Sequence, residues 1–154
     1  MRVLGVDIGT VRLGLAVSDL LGFTAQPLPT REGGGIKKIC KTILDVVLEY
    51  EKKGSEREKI GTVVVGHPIH LNATESEMSK FCKDCAKRLE EYFKQNQIIN
   101  RQINVILKDE RLTSVAAERV LLSADVSRKK RKEKRDQLAA QIILQGYIDA
   151  NEKK

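Results

Sequence analysis

Three acidic residues occupy places from which they can act together: Asp7, Glu110 and Asp136. Asp7 ends the apolar run Val3-Leu4-Gly5-Val6, Glu110 follows a second run from Ile103 to Leu107, and Asp136 opens an apolar-periodic stretch reaching Ala150. Converging carboxylates repel one another unless cations lie between them, and hard oxygen ligands select Mg²⁺ or Mn²⁺ over zinc. Two such ions about 3.5–4 Å apart activate a water and stabilise the leaving oxygen of a phosphodiester. In that arrangement Asp7 bridges both metals, and Glu110 and Asp136 hold one each. Asp109 competes with Glu110, because one residue of strand register decides which side chain faces inward. Each acid also has an ordinary reading: Asp7 as a turn-former before Gly9, Asp136 as a first-turn helix acid, Glu110 as the ion-pair partner of Arg111.

The charge distribution adds a second feature. The 154-residue chain carries a net charge of +7. Arg128-Lys129-Lys130-Arg131-Lys132-Glu133-Lys134-Arg135 holds seven basic residues against one acidic, which is +6 of that total. A compact basic patch on a near-neutral body suits contact with a polyanion at one place; the bland alternative is a solvated loop. Arg12 and Arg111 are placed to orient a phosphate or to pair with the neighbouring acids.

Elements that would position these residues follow from the apolar pattern. Val3 to Val6 and Leu13 to Val17 read as paired strands, and Thr24 to Thr30 as a third. Pro27 and Pro29 cannot donate to a ladder, so the third strand belongs at or near a sheet edge. Ile36, Ile39, Cys40, Ile43, Val46, Val47 and Tyr50 form one helical stripe. Thr62-Val63-Val64-Val65 is a buried strand. Thr74-x-x-Glu77 has capping-box spacing, so Thr74 is expected to start a helix whose stripe is Met78, Phe81, Cys82, Cys85, Leu89, Tyr92 and Phe93. Ile103 to Leu107 is a fifth strand, Thr113 caps a helix to about Leu122, and the last helix runs from about Asp136 to Ala150. The order β-β-β-α-β-α-β-α-α predicts an antiparallel meander followed by parallel crossovers. That α/β fold, a mixed five-stranded sheet flanked by helices, is the ribonuclease-H-like plan. Residues 1–150 are expected to form a single domain, with 151–154 a charged tail.

Composition excludes several classes. No apolar run approaches the roughly 18 residues of a membrane span. The N-terminus lacks a signal-peptide layout, and three cysteines, an odd number, fit a reducing cytosol, so a cytoplasmic location is expected. Aromatic residues make up 4% with no Trp, which argues against a base-stacking platform. His67-x-x-His70 and Cys82-x-x-Cys85 have permissible zinc spacing, but Cys82 and Cys85 lie on the apolar stripe of a helix, where reduced cysteines behave as small hydrophobes. The Asp7-to-Thr10 segment also resembles the phosphate loop of actin-like ATPases. Those enzymes close a nucleotide between two such domains, and this chain has the length of one.

Four segments carry a family resemblance. Asp7-Ile8-Gly9-Thr10-Val11-Arg12-Leu13-Gly14-Leu15-Ala16-Val17, Val64-Val65-Gly66-His67-Pro68-Ile69, Asp109-Glu110-Arg111-Leu112-Thr113 and Asp136-Gln137-Leu138-Ala139-Ala140 resemble, in order and spacing, the motifs of the YqgF/RuvX family of ribonuclease-H-fold proteins. The resemblance spans Met1 to about Tyr147. It implies a metal-dependent endonuclease maturing the small-subunit ribosomal RNA precursor or resolving Holliday junctions, with Asp7, Glu110 and Asp136 as its acids and Mg²⁺ or Mn²⁺ as its cofactor. The implied partner is a structured nucleic acid, RNA before branched DNA, gripped by Arg12, Arg111, Arg128, Lys129, Lys130, Arg131, Lys132, Lys134 and Arg135. Monomer and homodimer both stay open. Where the family usually reads Gly-Leu-Pro-Leu, this chain has Gly66-His67-Pro68-Ile69, so His67, His70 and Asn72 are expected in a substrate-facing loop. Many nucleases of this fold place an acid at the end of the fourth strand; this chain has none there. A non-catalytic RNA-binding assembly factor on the same fold is the rival reading.

Overall fold

A computed structural model of the chain describes residues 1–9, 11–68, 76–110 and 128–152, with the backbone alone at Pro68, Glu110, residues 128–133 and Asp136. Strands β1 (Arg2–Ile8), β2 (Arg12–Ser18) and β3 (Ala25–Glu32) are followed by helix α1 (Ile36–Glu51), a 3-10 turn (Glu56–Glu58) and β4 (Ile60–Pro68). Helix α2 (Glu77–Gln95), strand β5 (Asn104–Glu110) and helix α3 (Arg128–Glu152) complete the described elements. The five strands form one sheet in the order β3-β2-β1-β4-β5. β1 pairs antiparallel with β2, and β2 with β3, whereas β4 lies parallel to both β1 and β5. This mixed sheet is the expected one, and β3, with its two prolines, is an edge strand.

The two faces of the sheet are packed differently because strand side chains alternate. Leu4, Val6 and Ile8 of β1, Leu13, Leu15 and Val17 of β2, and Val63 and Val65 of β4 face α1 and α2 in the main core. The opposite face is built of small residues: Ala16 and Ala25 meet Ala140, Leu144 and Ile148 of α3, with Val3 against them. Gly5 permits the close approach of α3, since a Cβ there would lie 2.7 Å from the Leu144 Cβ and 3.1 Å from the Ala140 carbonyl.

Three glutamines one helical turn apart fix the direction of α3. Gln137 Nε2 donates to the Leu28 carbonyl (2.9 Å), Gln141 Nε2 to that of Ala25 (3.2 Å), and Gln145 Nε2 to that of Phe23 (3.0 Å). Gln145 Oε1 also accepts from the Ala25 amide at 2.9 Å. The helix therefore runs antiparallel to β3 and β1, with its N-terminal turns at the rim where β1 ends.

Three boundaries differ from the sequence expectation, each for a local reason. β5 extends to Glu110, because parallel pairing with β4 continues through His67↔Asp109 and Pro68↔Glu110; Asp109 and Glu110 are strand residues. The N-cap of α2 is Ser76, whose Oγ accepts from the Ser79 amide at 3.0 Å, and the helix begins at Glu77; Thr74 lies outside the described residues. The last helix is already formed at Arg128, eight residues before Asp136. Lys, Arg and Glu are good helix formers, and no Gly or Pro interrupts the run. Asp136 is thus a mid-helix residue, and a first-turn role facing the macrodipole is ruled out. The helix expected from Thr113 to Leu122 lies outside the described residues.

Candidate active site

Asp7 is the penultimate residue of β1, at the rim where the parallel strands β1, β4 and β5 end. It has the parity of Gly5 and therefore the α3 side of the sheet. Its neighbours on both adjacent strands are glycines. Gly14 is its partner in β2. On β4 the parallel register Val6↔Val65 continues to Gly66 beside Asp7. Asp7 is half-buried, and the two glycines that flank it are buried. Its charge is also felt inside the protein: the Cys82 thiol is pushed up to about 12, mainly by burial and further by Asp7. The turn after β1 is closed by the Gly9 amide donating to the Arg12 carbonyl at 3.0 Å. That turn starts β2 at Arg12, a half-buried residue at the same rim.

Helix α3 brings its basic segment to this rim. Leu144 and Ala140 cover Gly5, so about one turn back places positions 136–137 level with Asp7. The turns from Arg128 to Arg135 lie beyond, an overhang of roughly 12 Å at 1.5 Å per residue. Lys134 and Arg135 are exposed there.

On the other face of the same rim, His67 is buried. It shares the parity of Val63 and Val65, which points it at α2, where its Nε2 is hydrogen-bonded to the Ser79 Oγ. Its Nδ1 lies 3.5 Å from Asp109 Oδ1. With His67 at 8% and Ser79 at 1% exposure, His67 is a strand residue of the core edge rather than of a substrate loop. Asp109, largely exposed, occupies the α2 side with it. Lys108, one residue earlier, crosses to the α3 side, where its Cε would lie 2.9 Å from a Cβ on Gly146.

Of the expected site residues, the structure brings to one rim Asp7, Arg12, the backbone positions of Glu110 and Asp136, and the helical turns bearing Arg128, Lys129, Lys130, Arg131, Lys132, Lys134 and Arg135. Arg111, His70 and Asn72 lie outside the described residues. Among the described residues no three His, Cys, Asp or Glu side chains converge as a metal site; the side chains of Glu110 and Asp136 are not among them. Cys40, Cys82 and Cys85 are buried free thiols between α1 and α2. Sequence reading missed Ser79 as the partner of His67 and Lys108 as a residue of the α3 face. The parity of His67 with Val63 and Val65 was the available signal for the first; nothing local marks the second.

Comparison with known proteins agrees with this architecture. The chain matches the family described as "RuvX: Holliday junction resolvase" over residues 1–150. It is 44% identical to a protein of Geobacillus sp. (strain WCH70) named "Putative pre-16S rRNA nuclease", covering 99% of this chain and 100% of that one. A protein of the same name from Bacillus cytotoxicus is 43% identical, covering 97% and 99%. Among solved structures, Thermus thermophilus RuvC bound to a Holliday junction superposes with a TM-score of 0.55 at 16% identity, covering 100% of this chain and 97% of that one. The fowlpox virus Holliday junction resolvase does so at 0.55 and 15%, covering 98% and 99%. At those identities the likeness shows a shared fold, the resolvase form of the ribonuclease-H-like sheet. With the sequence matched from end to end and the fold in agreement, this chain belongs to the RuvX family.

Proposed function

We propose that this chain is a divalent-metal-dependent endonuclease that cuts structured nucleic acid, with precursor 16S ribosomal RNA as its substrate. One observation carries the reading: Asp7 stands between two glycines at the strand-end rim over which the basic turns of α3 project. Relatives named as pre-16S rRNA nucleases at 43–44% identity favour RNA, and the family's description favours a Holliday junction as the second substrate to test.

The donor set suits Mg²⁺ or Mn²⁺, because every candidate ligand is a carboxylate oxygen. Asp7, Glu110 and Asp136 would hold the ions. Position 110 has the parity of Lys108 on the α3 side, which is Asp7's side, whereas Asp109 faces α2 with His67; this favours Glu110 over Asp109. Bound there, the ions would supply an activated water and neutralise charge developing on the phosphate. The chain's own residues do the rest. The basic turns of α3 anchor the sugar-phosphate backbone without reading sequence, and Arg12 orients a phosphate at the end of β1. The single domain, residues 1–150, would act in the cytoplasm, where its substrate is made; among the described residues no helix is long and apolar enough to cross a membrane.

The test incubates the protein and its Asp7→Asn variant with labelled precursor 16S RNA and with four-way-junction DNA, in Mn²⁺ or in chelator. Cutting of RNA that needs both Mn²⁺ and Asp7 supports the proposal, and cutting of the junction alone moves the substrate to DNA. RNA that is bound equally by both proteins and never cut would establish a binding factor instead.

A further inference from the structure

The two edges of the sheet are finished differently. β3 is closed to further pairing. Pro27 and Pro29 have no amide to donate, and glutamines of α3 occupy the Ala25 amide, the Ala25 carbonyl and the Leu28 carbonyl. β5 is the other edge, with β4 on one side and, among the described residues, no strand on the other. Edge strands are ordinarily blunted by proline or by charge. The stretch Asn104-Val105-Ile106-Leu107 has neither, and Lys108 turns to the α3 side, where it meets Gly146. The start of β5 therefore keeps an undefended row of amides and carbonyls along its outer side.

A groove runs beside that row. It holds about 940 Å³ between the last turns of α2 and the start of β5, with Phe93, Ile99, Ile103 and Val105 on its walls. Glu90 and Lys94 stand on its helical bank. Lys87 and Lys83 continue their face of α2 at steps of three and four, and all four are exposed. Three lysines against one glutamate make this bank basic. A strand edge facing a helix across a groove is the geometry in which a peptide is taken up as an added strand. Main-chain hydrogen bonds then supply affinity, and alternate side chains enter the groove and supply selectivity. The apolar walls suit apolar side chains, and the lysines at the lip suit carboxylates. A second copy of this chain would bring the same lysine row against itself, and a nucleic acid has no strand with which to extend the ladder.

We infer that the outer edge of β5 takes up an extended segment of a partner protein, one that alternates apolar and acidic side chains. The segment adds a strand beside Asn104 to Leu107, its apolar side chains entering the groove and its carboxylates meeting Lys87 and Lys94. The groove lies at the start of β5, away from the end of β1 that carries Asp7. The inference does not depend on the nuclease reading.

A fluorescent peptide alternating valine with aspartate tests it, by anisotropy against the full chain up to about 100 μM, a range suited to a small interface. Saturable binding is expected, with NMR shifts centred on the amides of Asn104 to Leu107. Lys87→Glu combined with Lys94→Glu should weaken binding by at least about tenfold at low salt. Both positions are exposed, so the variant should keep the wild-type unfolding midpoint. The peptide backbone gives the sharper readout, because alternate amides of a strand point to opposite edges. N-methylating the valine amides and N-methylating the aspartate amides should differ, one set losing at least about tenfold in affinity and the other leaving it in place. No binding, equal tolerance of both methylated sets, or equal binding of a peptide alternating valine with lysine overturns the inference. So does displacement of the peptide by RNA, or a set of β5 shifts that depends on protein concentration alone, either of which gives the groove to another occupant.

Discussion

The two rims of one sheet are made from the same strands and carry contrasting surfaces. At the rim where β1, β4 and β5 end, the described residues place an acid between two glycines, with a basic helix projecting past it. Where the same strands begin, the exposed apolar side chains Leu20, Leu21 and Phe23 of the hairpin tip share the rim with the mixed-charge run Lys52 to Lys59. Asp19 and Gln145 hold the tip there, and Arg101 is bound to Glu51 and to the Ile60 carbonyl. Charge concentrated at one end suits a polyanion, whose binding is mostly electrostatic. The helix α3 links the two ends, since its first turns overhang the acidic rim while Gln145 near its last turns grips the apolar tip. The difference also separates the measurements: a change at one rim should leave the other's readout in place.

The largest effect is expected at Asp7. Electrophilic stabilisation of a phosphoryl oxygen is worth several kcal/mol; at 1.36 kcal/mol per tenfold, Asp7→Asn should slow Mn²⁺-dependent cutting roughly a thousandfold. Its thermal midpoint should match the wild type, as a single-turnover assay beside a thermal melt would show.

Next comes the basic helix. Replacing Lys129, Lys130, Arg131 and Lys132 by Gln is expected to lower the slope of log affinity against log salt by about 3 for single-stranded and up to about 4 for duplex substrate. Filter binding across a salt series reads this directly. An unchanged slope would make the segment a solvated helix with no phosphate contact.

Gly5→Ala should sharpen the contrast from the core. The new Cβ meets Leu144 and the Ala140 carbonyl, so α3 must shift, at a cost of about 1–3 kcal/mol by urea denaturation. Because α3 carries the basic turns, cutting should fall more than stability alone accounts for.

The smallest effect belongs to Asp19. Its desolvation acts to raise the pKa, but hydrogen bonds from the Phe23, Thr24 and Gly22 amides outweigh it and hold the carboxyl below the usual 3.8. A carboxyl lowered on folding contributes stability that is present above the unfolded value and lost as pH falls through the folded one. Tip order, followed by NMR shifts of Phe23 and Thr24, should therefore persist at pH 5 and fade only below about 3.8, while Asp19→Asn should remove that pH dependence.

Much of this arrangement was legible in the sequence. The meander and crossovers followed from the order of apolar runs, the edge position of β3 from Pro27 and Pro29, and the rim position of Asp7 from the run it ends. Polar ends of elements were harder to read. Asp109 and Glu110 are polar and read as loop, yet pairing with His67 and Pro68 keeps them in β5. The basic run reads as solvated chain, yet its helix propensity joins it to α3. His67, next to Pro68, reads as loop, yet its parity with Val63 and Val65 points it into the core, against a serine 12 residues further on. The Gly5–Leu144 contact joins residues distant in sequence, and no local pattern announces it.

The most direct test of the contrast between the rims is Mn²⁺ titration of the isotope-labelled protein, followed by paramagnetic broadening of its amide signals. The account predicts broadening centred on Asp7, Gly14 and Gly66, abolished by Asp7→Asn, with Leu20 to Phe23 unaffected. Broadening that survives the substitution, or that centres on Asp19 and the hairpin tip, would contradict it.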